Sequence, residues 1–308
     1  VAFPISPQSI RVSSYNKPVQ MVIYGSTYEE LEKIYFSTNN ASDLNLFIRL
    51  SVPNDYAKLN LSNKFGIQLD KATSLLRSVR RIAQKVGVCF HVGSQCMNPK
   101  SFTIAIHRVG DLIRSSGIML DILDIGGGFP SSYIDMNPPP LDTYIEEITS
   151  ALIDIPIRED CEIWAEPGRA LVAEAASTLV RIDHRKDNNL YINDGIYGSL
   201  FDAGLSGFIH PVRSINIQSK LSDELVPFSF FGPTCDGMDF MKGPYMLPNT
   251  ITEGDYIEIG QTGAYGCTMR TKFNGFYSDE TILLSDQPIL SLYGHKSMIS
   301  QKVDEIAL

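Results

Sequence analysis

Three polar motifs hold the side chains best suited to chemistry, and each directly follows an apolar run: His91-Val92-Gly93-Ser94, Gly126-Gly127-Gly128-Phe129 and Glu166-Pro167-Gly168-Arg169. The Glu166 carboxylate and the Arg169 guanidinium, three positions apart, could bind a ligand that carries both an N–H and a phosphate. Gly126, Gly127 and Gly128 permit close backbone approach, and their amides could cradle the same phosphate. The imidazole of His91 could stack on a flat ring. A phosphorylated aromatic nitrogen heterocycle fits all three motifs, and pyridoxal phosphate is the obvious candidate. A carboxylate at its ring nitrogen would keep the pyridine protonated and able to withdraw electrons from a carbanion. Taken singly, each motif has an ordinary reading: a strand-end scaffold histidine, a glycine turn that lacks the dinucleotide G-x-G-x-x-G pattern, and a turn with a surface ion pair of about 0–1 kcal/mol. Their joint occurrence in order is harder to dismiss, with first residues 35 and 40 positions apart.

That spacing is close to the strand-plus-helix unit of a β/α barrel, roughly 30 residues, in which the chemistry gathers at the carboxyl ends of the strands. Strands are expected at Val19–Tyr24, Leu44–Leu50, Val86–Val92, Asp121–Ile125 and Cys161–Ala165, with a frayed one at Val1–Phe3. Between them, Ala72, Leu75, Leu76, Val79, Ile82, Ala83 and Val86 follow helical spacing, with Asp70 as a starting cap and Gly87 as a stop. Phe102, Ile106, Val109 and Ile113 repeat the pattern behind Asn98-Pro99, and Leu141, Tyr144, Ile145, Ile148 and Leu152 do so again. Thr27 with Glu30 predicts a capping box for Tyr28–Phe36. From about residue 180 the texture changes to short alternating segments, Leu190–Asn193, Val226–Phe231, Tyr256–Ile259 and Thr268–Phe273, separated by turn residues. The expected architecture is therefore α/β: a (β/α)8-type barrel domain over residues 1–180, then a mostly antiparallel β domain over residues 181–308. Six barrel units are found where closure takes eight, so about 60 further residues are expected upstream of Val1.

Composition narrows the function classes. Of the 308 residues, 44% are apolar and 20% charged, an ordinary globular balance. With 26 basic against 35 acidic side chains the net charge is −9, which disfavours a nucleic-acid partner. Neither a basic amphipathic helix nor an apolar run of membrane-spanning length occurs, so no membrane association is expected. The first residues lack the charged leader and apolar core of a signal peptide. The five cysteines (Cys89, Cys96, Cys161, Cys235, Cys267) are odd in number and read as reduced cytoplasmic thiols. Cys89, His91 and Cys96 find no second pair to complete a tetrahedral metal site, so no metal is expected.

Three further strings complete the pattern: Phe231-Gly232-Pro233-Thr234-Cys235-Asp236-Gly237-Met238-Asp239, Gly263-Ala264-Tyr265-Gly266 and Phe273-Asn274-Gly275-Phe276. With Leu61-Ser62-Asn63-Lys64-Phe65-Gly66, they make the chain resemble, from about Gln20 to Phe276, the eukaryotic-type ornithine decarboxylases of the alanine-racemase-like pyridoxal-phosphate fold. The resemblance implies roles position by position. His91 would stack on the cofactor ring, Ser94 would help hold it, and Glu166 would pair with the pyridinium nitrogen. Gly126, Gly127, Gly128, Arg169 and Tyr265 would bind the phosphate. Cys235 and Asp236 would reach the site of the other subunit in a head-to-tail homodimer. There Cys235 would control protonation of the carbanion, and Asp236 would bind the distal ammonium of a diamino acid. Phe276 would line the interface beside the site, and Lys64 with Asp239 would bridge the two subunits. Asp rather than Glu after the cysteine favours ornithine or lysine over diaminopimelate; one methylene separates the first two, worth only about 1–3 kcal/mol of discrimination.

Two departures from that family matter. Its Schiff-base lysine, in a Tyr-Ala-Val-Lys-like strand, matches a region before Val1. Its Tyr-Asp, which contacts the substrate amine after Gly-Ile-Tyr-Gly-Ser, has no evident equivalent in Leu200–Phe208, so the part of Asp202 is open. A decarboxylase seen as an incomplete chain, a non-catalytic binding protein of the antizyme-inhibitor kind, and a truncated inactive remnant are the three readings these departures allow.

Overall fold

Helices and strands alternate through the first part of the chain because apolar β-branched runs are separated by segments with helical spacing. The computed structural model describes residues 22–62, 64–216, 221–285 and 287–290. Packing divides the chain into two units. The first takes the chain up to Pro130 with Pro139–Gly168, and the second takes Ser131–Pro138 with the chain from Arg169 on. The continuous part of the second unit starts at Arg169.

The first unit runs β1 (Val22–Gly25), α1 (Tyr28–Ser37), β2 (Asn45–Arg49), β3 (Ala57–Leu59), α2 (Leu69–Ile82), β4 (Lys85–Cys89), β5 (Ser94–Cys96), α3 (Lys100–Ser116), β6 (Ile122–Asp124), α4 (Leu141–Ile153) and β7 (Glu162–Trp164). Among the described residues five strands make a parallel sheet in the order β1-β2-β4-β6-β7. The strand expected at Val1–Phe3 and the start of that expected at Val19–Tyr24 lie outside the described residues. Register sets Arg49, Cys89, Asp124 and Trp164 side by side, with Phe47, Gly87 and Ile122 two residues earlier on the same face.

Local sequence accounts for most element ends. The hydroxyl of Thr27 accepts from the Glu30 N–H at 3.2 Å, and the Glu30 carboxylate accepts from Ser26 N–H at 2.6 Å, a capping box shifted by one residue at its return bond. Helix α2 buries Ala72, Leu75, Leu76 and Val79, and its charges, Asp70 early and Arg80 and Arg81 late, suit the helix dipole. Two expectations for this helix are corrected. Its N-cap is Gln68 rather than Asp70, and Gly87 lies in β4 rather than at the helix end. Gly87 is there for space: a Cβ would stand 2.4 Å from the ring of Phe47, which fills the sheet face with Cys89, Ile122 and Trp164.

Helix α5 (Gly168–Val172) begins on the last residue of the first unit, and the second unit continues with β8 (Thr178–Lys186), β9 (Asn189–Ile192), α6 (Phe201–Gly204), β10 (Val212–Ile215), β11 (Leu225–Phe231), β12 (Phe240–Pro248) and β13 (Tyr256–Ile259). Its six-stranded sheet has the order β10-β13-β8-β9-β11-β12, antiparallel except for the parallel pair β9/β11. Period-two alternation buries Val180 and Ile182 while Leu179, Arg181 and Asp183 face outward. These join Phe228, Phe230, Met241, Tyr245, Leu247, Ile257 and Ile259 in one core, each side chain contributing about 1.5–3 kcal/mol. Glu258 is buried where alternation predicts exposure, because Arg213 of β10 pairs with it at 2.9 Å. Thr268–Phe273 is not a strand. Single 3-10 turns occupy Cys267–Met269 and Phe273–Gly275, and the Thr271 N–H donates to Tyr197 O at 2.8 Å instead of entering a ladder.

Candidate active site

The three motifs of the first unit sit where its strands end. The N–H of Phe90 donates to Asp124 O at 3.2 Å, that of Ile125 to Trp164 O at 2.9 Å and that of Glu166 to Gly126 O at 2.8 Å. These bonds tie the three exits together. The glycines are required by contact: a Cβ on Gly126 would lie 1.9 Å from Phe90 O, and one on Gly128 2.4 Å from Gly93 O. At Gly127 it would lie 2.7 Å from Glu166 O and 3.0 Å from His91 Nε2. The His91 ring, the triple glycine and the Glu166 backbone are therefore immediate neighbours.

His91 is fixed from several sides. Its Nδ1 accepts from Gly93 N–H at 3.0 Å, which leaves the hydrogen on Nε2, and its carbonyl accepts from Asn54 Nδ2 at 3.0 Å. Burial first, and the positive Arg49 second, lower its pKa to about 4, so the imidazole is neutral at pH 7. Arg49, at the end of β2 with its guanidinium 4.7 Å from the Phe65 ring, was missed by motif reading; its strand-end position was the available signal. Ser94 is buried at the start of β5, opposite Leu59. Lys64 is exposed, with its ammonium 5.1 Å from the Phe65 ring.

The second unit holds the remaining expected residues in two groups. Arg169 is 5% exposed, and its Nη1 donates to Asp202 Oδ2 and to the Tyr133 hydroxyl, each at 2.8 Å. The rings of Phe208 and Tyr265 stand 4.5 and 4.7 Å from its guanidinium carbon. Tyr265 has φ 57°, a left-handed conformation costing roughly 1–3 kcal/mol for such a residue, so the surrounding chain imposes it. Asp202 thus has a defined partner, the one buried guanidinium of this group, and Tyr133 joins it without any motif to announce it.

The other group surrounds Cys235 and Asp236. Asp239 is 2% exposed and accepts from Ile196 N–H at 2.9 Å, Thr234 N–H at 3.1 Å and the Thr234 hydroxyl at 2.7 Å. It is an internal anchor that joins the loop at 194–199 to the loop at 232–239. Asp236 accepts from Met238 N–H at 2.9 Å and from the Tyr197 hydroxyl, and these two bonds hold its carboxyl below the usual carboxylate range. Asn274 Nδ2 donates to Cys235 Sγ at 3.2 Å, and the Phe273 ring lies 4.6 Å from that of Tyr197. Phe276 is exposed two residues after Asn274. Tyr197 stands in the Gly195–Ser199 segment already visible in the sequence, yet its bond to Asp236 spans 39 residues and has no local signature.

Residues 7–173 match the pyridoxal-binding domain of the pyridoxal-dependent decarboxylases, and residues 152–263 match the C-terminal sheet domain of the same proteins. The chain belongs to that family. An ornithine decarboxylase of Panagrellus redivivus is 32% identical over 290 residues, covering 86% of this chain and 66% of the relative. A lysine/ornithine decarboxylase of Selenomonas ruminantium is 29% identical over 85% of the chain, and an antizyme inhibitor 2 of Xenopus laevis 31% over 84%. The solved lysine/ornithine decarboxylase of Vibrio vulnificus, complexed with cadaverine, superimposes with a TM-score of 0.71 at 32% identity, covering 86% of this chain and 70% of that one. The chain spans about two thirds of the length of the curated relatives it matches. Its α/β fold with a parallel sheet followed by a curled mixed sheet is that of these decarboxylases.

The residues of this decarboxylase-family chain fit a phosphorylated pyridine. The glycine loop is bare of side chains where a Cβ would strike the His91 ring and the Glu166 backbone, and the neutral imidazole beside it suits stacking on a flat ring. In the second unit the Arg169 guanidinium, set against the Phe208 and Tyr265 rings, already has the Asp202 carboxylate as its anion. Among the described residues no group of three or more His, Cys, Asp or Glu side chains could hold a metal ion, and no helix is long and apolar enough to cross a membrane.

Proposed function

We propose that the full-length protein decarboxylates a basic amino acid, L-ornithine or L-lysine, to its diamine with pyridoxal phosphate as cofactor. The observation that carries this reading is the direct contact of the Gly126–Gly128 loop with the His91 ring and the Glu166 strand end. The cofactor, when bound, supplies an electron-withdrawing pyridinium that takes up the electron pair left when CO2 departs. Every other task falls to the protein. Glu166 would keep the ring nitrogen protonated. His91, neutral and held by Gly93 and Asn54, would lie against the ring without placing a second positive charge there. The Gly126–Gly128 amides, Ser94, Arg169 and Tyr265 would bind the phosphate.

Asp236 would receive the distal ammonium of the substrate, for which an ionised carboxylate is needed because a buried ammonium must be paired. Cys235 would give its thiol proton to the substrate carbon that has lost CO2. The S–H bond breaks with its electron pair left on sulfur, the C–H bond forms from the carbanion pair, and solvent then reprotonates the thiolate. Both residues would act in the other subunit of a homodimer, with Phe276 at that interface. Three cysteines in this chain are accessible or half-accessible, which suits a reducing cytoplasm.

The test is CO2 release from labelled ornithine and lysine by the full-length protein with added pyridoxal phosphate. Release from either, with ornithine the faster, supports the reading. A folded dimer that stays colourless with the cofactor and releases nothing would favour a binding role like that of antizyme inhibitor 2, to which the chain is 31% identical.

A further inference from the structure

Asn274 lies in the left-handed region (φ 55°, ψ 13°) within the single turn Phe273–Gly275. The turn is anchored independently of Cys235: Phe273 N–H donates to the Thr271 hydroxyl at 3.2 Å, Thr271 N–H to Tyr197 O at 2.8 Å, and the rings of Phe273 and Tyr197 are 4.6 Å apart. From this fixed base the Asn274 amide donates to Cys235 Sγ at 3.2 Å, a sulfur-centred hydrogen bond across 39 residues. Asparagine tolerates left-handed backbone better than most residues, and its short amide is the donor that this geometry uses. On the other side, Asp239 pins the loop that carries the cysteine.

We propose that Asn274 is a positioning residue for the Cys235 thiol. It occupies a lone pair of sulfur, which fixes the rotamer of the thiol and directs its S–H away from the amide. Once the proton has left, the same amide N–H remains as a donor to the sulfur. The sulfur side of this inference stands on geometry alone; its consequence for proton delivery rests on the decarboxylase reading above.

The experiment follows iodoacetamide alkylation of Cys235 in the full-length protein against pH, with the peptide that contains Cys235 quantified by mass spectrometry. Asn274→Asp keeps shape and backbone tolerance but replaces the donor by a carboxylate, and Asn274→Gly removes the donor while relieving the left-handed strain. Asn274→Asp is expected to move the alkylation profile about one pH unit upward, roughly a tenfold slower reaction at fixed pH below the midpoint. Asn274→Gly is expected to slow it about two- to threefold with no loss of thermal stability, which keeps the test readable if the charged variant folds poorly. Both profiles coinciding with the wild type would overturn the proposal. In turnover, Asn274→Asp should lower the ratio of diamine formed to CO2 released, because the carbanion left by CO2 receives the thiol proton less reliably. A shifted alkylation profile with an unchanged product ratio would overturn the proton-delivery part. A shifted profile in a protein that decarboxylates nothing would leave the thiol contact standing and reject the functional reading instead.

Discussion

The strand-end cluster of the first unit and the Cys235 loop of the second are built by opposite means. Around His91 the geometry is set by backbone: carbonyls and amides of three strand exits interlock, and glycines are there because any side chain would collide. Around Cys235 it is set by side chains: Asp239, Tyr197, Asn274 and Thr271 bridge loops that share no ladder. The first arrangement is rigid and intolerant of added atoms. The second leaves Cys235 exposed and can be retuned by single substitutions. Under the decarboxylase reading proposed above, the first region would shape a cavity for a rigid ring and the second would deliver one proton and one charge.

The largest expected effect tests whether the second unit has a side-chain-built core of its own. Asp202→Ala should destabilise by about 3–5 kcal/mol, since it strands the guanidinium of Arg169 in a buried site. Urea unfolding measures it, and a loss under about 1 kcal/mol would show that the pair is not buried in solution. Next, Gly126→Ala should cost about 2–4 kcal/mol through its clash with the Phe90 carbonyl, and wild-type-like unfolding would contradict the backbone-locked cluster.

His91 supplies a pH test of the same cluster. Its folded pKa of about 4 lies below the ordinary 6.5, so the unfolded chain binds a proton that the folded one refuses. That contribution is fully present above pH 6.5 and is lost as the pH falls toward 4, by at most about 3 kcal/mol. His91→Gln should flatten the stability slope in that window, and an unchanged slope would mean the imidazole is not buried neutral. The smallest effect on folding belongs to the loop: Cys235→Ala should leave unfolding within about 0.5 kcal/mol of the wild type while product formation falls sharply. Equal loss of both would make Cys235 a structural residue.

How much of this was legible in the sequence follows the same division. The strand exits could be read because each motif directly follows its apolar run, and the helices because Leu75, Leu76 and Val79 or Phe102, Ile106 and Val109 repeat with helical period. What escaped depends on partners far along the chain. Asp202 with Arg169, Tyr133 with Arg169, Asn274 with Cys235 and Arg213 with Glu258 are pairs separated by 33 to 45 residues, and nothing local marks them. The expected strand at Thr268–Phe273 failed for the same reason: alternation was present, but the amide of Thr271 is used by Tyr197 and no neighbouring strand takes it. Gly87 misled because a glycine near a helix end resembles a stop, while the Phe47 ring it accommodates comes from a strand 40 residues earlier.

The proposal that these two regions serve one active site, each copy lending its Cys235 loop to the strand-end cluster of the other, is tested most directly by hybrid dimers. Full-length Glu166→Ala and Cys235→Ala proteins, each expected to have little activity alone, are mixed, dissociated and reassociated, and ornithine decarboxylation is measured. Random pairing places one intact site in half of the dimers, so recovery of about a quarter of wild-type activity is predicted. Hybrids confirmed by mass that remain as inactive as either parent would contradict the account.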